Sequence, residues 1–264
     1  MWGKILGGLF GMALAKIPGL LLGLAIGHWF DRSVGRRFEQ VGGFKGFQRQ
    51  SESHQGLFMY NTFAVMGHLA KADGRVTEAH IARANLFMDQ LGLSARQKQE
   101  AQQAFRDGKS ADFPLSSQLA QLKQTYRWQA DLLQLFLEVQ ISVAYVDARL
   151  SATELNLLRQ IAKELGFSEL KLQMLCGRFE AEARFRQQTS NHAVAGDALA
   201  DAYQLLGVSS TCSEQELKRA YKKQMAQHHP DKLSSQGLPA EMLELAKQKT
   251  QQVQAAYELI KRQR

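Results

Sequence analysis

The sequence predicts an all-α protein: an N-terminal transmembrane helix, a central helical domain and a C-terminal helical hairpin. Three observations lead there. Only four prolines occur in 264 residues. Long stretches are rich in Ala, Leu, Gln, Lys and Glu, which favour helix. Apolar residues recur every three or four positions, and period-two runs of Val, Ile and Thr are scarce. At 45% hydrophobic, the chain has enough apolar material for real cores, which excludes a disordered polymer. A formal net charge of +8 points to an anionic partner without choosing among lipid, acidic protein and nucleic acid. Cys176 and Cys212 lie far apart with no CxxC spacing, so neither a disulfide framework nor a zinc knuckle is indicated, and a reducing compartment fits.

Residues 1–31 read as a transmembrane anchor. From Ile5 to Phe30 the chain is almost continuously apolar and long enough to span a bilayer core as a helix. Lys16 opposes this by about 2.5 to 3.5 kcal/mol at a helix centre, and the surrounding leucines and isoleucines offset it. A cleaved signal peptide is the competing reading, but the stretch is long for such a segment and lacks a clear Ala-x-Ala site. Small residues recur at every fourth position, with Gly7, Gly11, Gly19, Gly23 and Gly27 forming most of the stripe. Such a stripe lets two helix backbones approach closely, so a homodimer through this face is expected. Arg32, Arg36, Arg37, Lys45 and Arg49 follow the helix while only Lys4 precedes it, which places the bulk of the chain in the cytoplasm. These basic residues sit where anionic headgroups would meet them, so a lipid surface is expected ahead of nucleic acid. Gly42, Gly43, Gly46 and the polar run after them make 32–56 a basic juxtamembrane tether.

Residues 57–180 form the central helical domain, and they contain an internal echo. Asp73-Gly74-Arg75-Val76-Thr77 precedes Leu91-Gly92-Leu93-Ser94; Asp147-Ala148-Arg149-Leu150-Ser151 precedes Leu165-Gly166-Phe167-Ser168 at the same interval. Thr77 and Ser151 are placed to cap helices, Ser151 with Glu154 as a capping box, and Gly92 and Gly166 to stop them. Ile81, Ala82, Leu86, Phe87 and Leu91 give one copy a single apolar face, and Leu155, Leu158, Ile161, Ala162 and Leu165 do so for the other. Two helical hairpins that pack on each other are expected. This paired acidic-turn pattern resembles the TerB-like domain, an all-helical module. The resemblance implies Asp73, Asp147 and Glu154 as candidate ligands for a hard cation. In this sequence His80 stands where the first copy would match Glu154, and each acidic residue already has a helix-start role, so turn capping is the preferred reading and no bound metal is expected. Tyr126 and Trp128, near the polar stretch Arg106–Pro114, read either as a partner surface or as core.

A polar stretch over 181–197 reads as a linker, and 198–264 as the C-terminal domain. Tyr203 and Leu206 lie on a short apolar stripe ended by Gly207, and Ser213 with Glu216 makes a capping box for the next helix. That helix is two-faced: Leu217, Ala220, Tyr221 and Met225 on one side, Lys218, Arg219, Lys222 and Lys223 on the other. It ends at His228-His229-Pro230-Asp231-Lys232, where Pro230 biases His229 out of the helical region, and a loop through Gly237 and Pro239 is expected. A third helix from about Glu241 carries Val253, Ala256, Tyr257 and Ile260, spaced to pack on the second as an antiparallel hairpin.

Tyr203 with Leu206-Gly207-Val208, then Leu217 to Tyr221, then His229-Pro230-Asp231-Lys232, then Ala255-Ala256-Tyr257 look like a J domain in order and spacing. The resemblance implies a DnaK-type chaperone as partner, docking at His229, Pro230, Asp231 and the cationic residues, with ATP hydrolysis stimulated in the partner. It implies a packed core at Tyr203, Leu206, Leu217, Tyr221, Val253 and Tyr257. Anchor, TerB-like middle and J domain together resemble the membrane-anchored DnaJ-like co-chaperones of proteobacteria. That likeness implies a single pass through the inner membrane with a short periplasmic N-terminus, and a link to capsule-related or envelope-stress signalling. The sequence departs from many J domains at Thr250, where an aromatic is common, and it carries neither a Gly/Phe-rich spacer nor a cysteine-rich zinc region. A membrane scaffold or signalling adaptor acting mainly through the TerB-like domain is the alternative. No Gly-rich phosphate loop, nucleophile motif or ligand-spaced histidine set appears, so neither an enzyme nor a cofactor is expected.

Overall fold

A computed structural model describes residues 54–145, 150–191 and 195–264, all within one compact unit, Gly46–Arg264. The regular structure among them is entirely helical. The expected transmembrane helix with its Gly7, Gly11, Gly19, Gly23 and Gly27 face lies outside the described residues, as does Asp147. Among the described residues no helix is long and apolar enough to cross a membrane.

The first described helix, α1 (His54–Ala70), starts inside the expected tether. It is apolar on nearly every side: Phe58, Phe63, Val65 and Met66 are fully buried. A helix hydrophobic all round belongs at the centre of a domain. Around it run α2 (Glu78–Gln90), α3 (Ala95–Gly108), α4 (Leu115–Thr125), α5 (Ala130–Ala144), α6 (Ala152–Leu165) and α7 (Glu169–Asn191). The closest approach is α1 on α3. A Cβ at Gly67 would run into the carbonyl of Phe105, and one at Gly108 into the carbonyl of Ala64, so the two backbones touch. Replacing Gly108 with Ala is therefore expected to destabilise the domain by about 1 to 3 kcal/mol, the cost of overpacking a contact that must open. A thermal melt of the variant that matches the parent would refute this.

Both echo copies begin on capped helices. Thr77 caps α2 and Ser151 caps α6, with Glu154 returning to the Ser151 backbone N–H at 2.9 Å. His80 plays the part of Glu154 in the first copy, accepting at Nδ1 from the Thr77 N–H. The helices that carry the two apolar faces, α2 and α6, do not pack broadly on each other. The two copies meet at their turns, where the Ser151 hydroxyl donates to Asp73 at 3.1 Å and Glu154 lies 3.6 Å from His80. The bulk of the packing passes through α1 and α5, which lie side by side, α1 against α3 and α5 against α6 and α7. The Gln140 amide on α5 donates to the Thr62 carbonyl on α1 at 3.2 Å.

Residues 181–191, read as linker from their polarity, continue α7 without a break. The reason is a pair of apolar residues one turn apart. Ala181 is fully buried, and Phe185 joins the core of the C-terminal domain. Arg184 Nε also donates to Asp201 at 2.8 Å, tying α7 to α8 (Ala195–Leu206).

Candidate functional site

The C-terminal domain continues from α8 through α9 (Glu214–His228), α10 (Pro230–Ser235), a 3-10 turn (Ala240–Met242) and α11 (Leu243–Gln263). Tyr203, Leu206, Leu217 and Val253 are buried with Ala256 and Ile260 in one cluster. Tyr221 and Tyr257 are half-buried against that cluster and stack, centroids 4.3 Å apart and planes 21° from parallel. The C-terminal Arg264 closes the domain, donating to the Tyr203 hydroxyl at 2.9 Å and to the Cys212 carbonyl at 2.8 Å.

The tip that carries His229, Pro230 and Asp231 is built by one helix stopping and another starting. Ser213 and Glu216 cap α9 reciprocally, and the helix then runs to His228. Pro230 disfavours the helical conformation at His229, which is extended at φ −63° and ψ 122°. His229 becomes the N-cap of α10, its Nδ1 accepting from the Asp231 N–H at 3.2 Å, and Pro230 takes the first helical position, where its missing N–H costs nothing. The loop expected through Gly237 and Pro239 is there at 236–239, and ahead of it Pro230–Ser235 form a short helix. Leu233 is fully buried and anchors it, and Gly237 at φ +99° lets Leu238 N–H return to the Leu233 carbonyl at 2.9 Å. His229 and Asp231 are exposed, Pro230 is half-exposed, and Lys218, Arg219, Lys222 and Lys223 all face solvent along α9.

The underside of this tip rests on the central domain through a polar cluster the sequence reading did not find. Glu138 of α5 is buried, 3.2 Å from His228 Nε2 and 3.1 Å from Lys249 Nζ. Lys249 also pairs with Glu182 of α7 at 3.3 Å, and Arg178 donates to Gln224 at 3.0 Å. Both ring nitrogens of His228 lie beside oxygen atoms, Nδ1 3.1 Å from the Gln224 carbonyl and Nε2 3.2 Å from the Glu138 carboxylate. Burial alone would raise the Glu138 pKa, but Lys249 and His228, with a hydrogen bond from Gln134, hold the carboxylate well below its usual range. Burial would likewise lower Lys249, and Glu138 and Glu182 outweigh it, keeping the ammonium charged. The readable signal was a carboxylate, Glu138, in the middle of an apolar stretch of α5, where an unpaired buried charge would be intolerable.

The central-domain candidates separate. Asp73 and Glu154 are brought together through Ser151, each already engaged at a helix start. Among the described residues no group of three or more His, Cys, Asp or Glu side chains is arranged to hold a metal ion. Tyr126 is core, its hydroxyl donating to the His54 carbonyl at 2.7 Å, whereas Trp128 is 80% exposed with Arg127 over its ring.

Comparison with known proteins follows the same three parts. Residues 1–47 match the family model for the co-chaperone DjlA transmembrane domain, 59–175 that for tellurite resistance protein TerB and 201–264 that for the DnaJ domain. Relatives include the co-chaperone protein DjlA of Photobacterium profundum, 48% identical over 275 residues, covering 100% of this chain and 99% of the relative. Those of Shewanella oneidensis and Vibrio cholerae are 44% and 43% identical, each covering 100% of this chain and 98% of the relative. No solved structure matches the chain.

Proposed function

The chain belongs to the DjlA co-chaperone family, and from that premise we propose that its J domain binds a DnaK-type seventy-kilodalton heat-shock chaperone and stimulates that chaperone's ATP hydrolysis at the inner membrane. The observation that carries the reading is the tip itself. His229 and Asp231 stand exposed on a bend fixed by Pro230, beside a solvent-facing row of four cationic residues. Asp231 offers an acceptor to a chaperone arginine, His229 a polar contact, and Pro230 the rigidity that holds both. Lys218, Arg219, Lys222 and Lys223 steer an acidic surface of the partner. The chain makes and breaks no bond of its own in this scheme and uses no cofactor. The match of residues 1–47 supports membrane anchorage. Single-pass topology with the bulk of the chain cytoplasmic follows from Arg32, Arg36 and Arg37, and homodimerisation from the glycine stripe.

The test is the ATPase rate of a DnaK-type chaperone titrated with the full-length chain in liposomes. A several-fold increase is expected, and no increase sinks the proposal. Reversing Lys222 and Lys223 to Glu is expected to raise the half-maximal concentration about ten-fold and to flatten its salt dependence, because steering by these charges is what salt screens. A second reading, a scaffold serving envelope-stress or capsule signalling through the TerB-like domain, draws on Trp128, whose large exposed ring suits a partner.

A further inference from the structure

The residues on either side of the tripeptide are both held by one helix of the central domain. Lys232, directly after Asp231, pairs with Asp131 at 2.6 Å. His228, directly before His229, lies 3.2 Å from Glu138. Asp131 and Glu138 are seven residues apart on α5, two turns along one face, roughly 10 Å. The loop that follows is held too. Gln97 of α3 donates to Glu241, Gln55 of α1 reaches the Leu238 carbonyl at 3.5 Å, and a Cβ at Gly237 would meet the Tyr126 ring at 3.9 Å. The whole underside of the tip thus lies on the central domain, while its upper face stays open.

We propose that Asp131 and Glu138 are positioning residues for chaperone docking: they grip His228 and Lys232 and so hold His229, Pro230 and Asp231 in one fixed attitude on the central domain. The proposal rests on the co-chaperone reading and extends it, giving the TerB-like domain a direct part in J-domain action. The arrangement is a brace and not a lid, because His229, Asp231 and the four cationic residues remain exposed and Pro230 half-exposed. Only the flanking residues are engaged. A loop already ordered before binding does not have to be ordered during it, so the brace favours the docked state.

Asp131→Asn removes the charge and keeps the shape, and it avoids the buried cluster around Glu138. In the ATPase titration with full-length chain, it is expected to raise the half-maximal concentration roughly three-fold at unchanged maximal rate. Asp131→Glu should restore it. Amide exchange at residues 231–236 should quicken in Asp131→Asn while exchange in α1 to α4 stays as in the parent. Stimulation by Asp131→Asn equal to the parent would overturn the brace. Stronger stimulation would overturn it in favour of an inhibitory contact, and so would a lost maximal rate with unaltered exchange. If the parent stimulates and the variant matches it, the brace alone falls. If the parent itself does not stimulate, the co-chaperone reading falls and takes the brace with it.

Discussion

Replacing His229 with Gln is expected to remove stimulation of the chaperone ATPase while leaving the melting temperature near that of the parent. His229 has two tasks that can be separated. Its Nδ1 accepts the Asp231 N–H and so caps α10, and the rest of its ring faces solvent. The Gln carbonyl oxygen can accept the same N–H, Pro230 still fixes the bend, and buried Leu233 still anchors the short helix. What the substitution takes away is the ring presented to the partner. Contacts central to an interface typically lose 2 kcal/mol or more on truncation, so a drop in apparent affinity of roughly thirty-fold or greater is expected. Asp231→Asn should behave alike, because it removes the charge that makes the bond to an arginine strong. Both variants need circular dichroism and melting measured beside the titration. A folded His229→Gln chain that stimulates normally would end the assignment of the tripeptide.

The parts of this molecule that depend on neighbouring residues were open to reading from the sequence. Ser151 with Glu154 and Ser213 with Glu216 form the capping boxes their spacing announces, since a cap is decided within four residues. The bend at His229 follows from Pro230 alone. The cationic row on α9 follows from helical periodicity once that helix is granted. Features that depend on distant partners were not readable. Residues 181–191 are polar enough to look like linker, and only the core waiting for Phe185 shows why α7 continues. The short α10 needs a pocket for Leu233 that no local pattern describes. His80 illustrates the middle case: it was noted as a mismatch with Glu154, yet it serves the same capping place through a ring nitrogen.

Glu138 shows most plainly how a single non-local residue can join two domains. Its helix is mostly apolar around it, and a buried carboxylate there makes no sense until Lys249 and His228 arrive from ninety residues or more away. The sequence signal was present. Its meaning depended on which side chains the fold would bring to it.

Glu138→Ala should therefore be among the most damaging single substitutions in the described residues, costing about 3 to 5 kcal/mol, because it leaves Lys249 and His228 buried with too little compensation. Glu182 stays with Lys249, which keeps the loss from being larger. The pH dependence carries a definite sign. The Glu138 pKa is depressed in the folded chain, so its contribution is fully present above the usual carboxylate value of 4.5 and fades only as pH falls through the folded value below it. Urea unfolding of the detergent-solubilised full chain should show a parent whose advantage over Glu138→Gln holds at neutral pH and narrows only under strongly acidic conditions. Replacing the pair together, Glu138→Leu with Lys249→Met, separates charge from packing. An apolar pair of similar volume asks for no compensation, so the double variant should recover much of what Glu138→Ala loses. A double variant as unstable as Glu138→Ala would show that shape at this junction, and not the buried charges, decides whether the two domains stay joined.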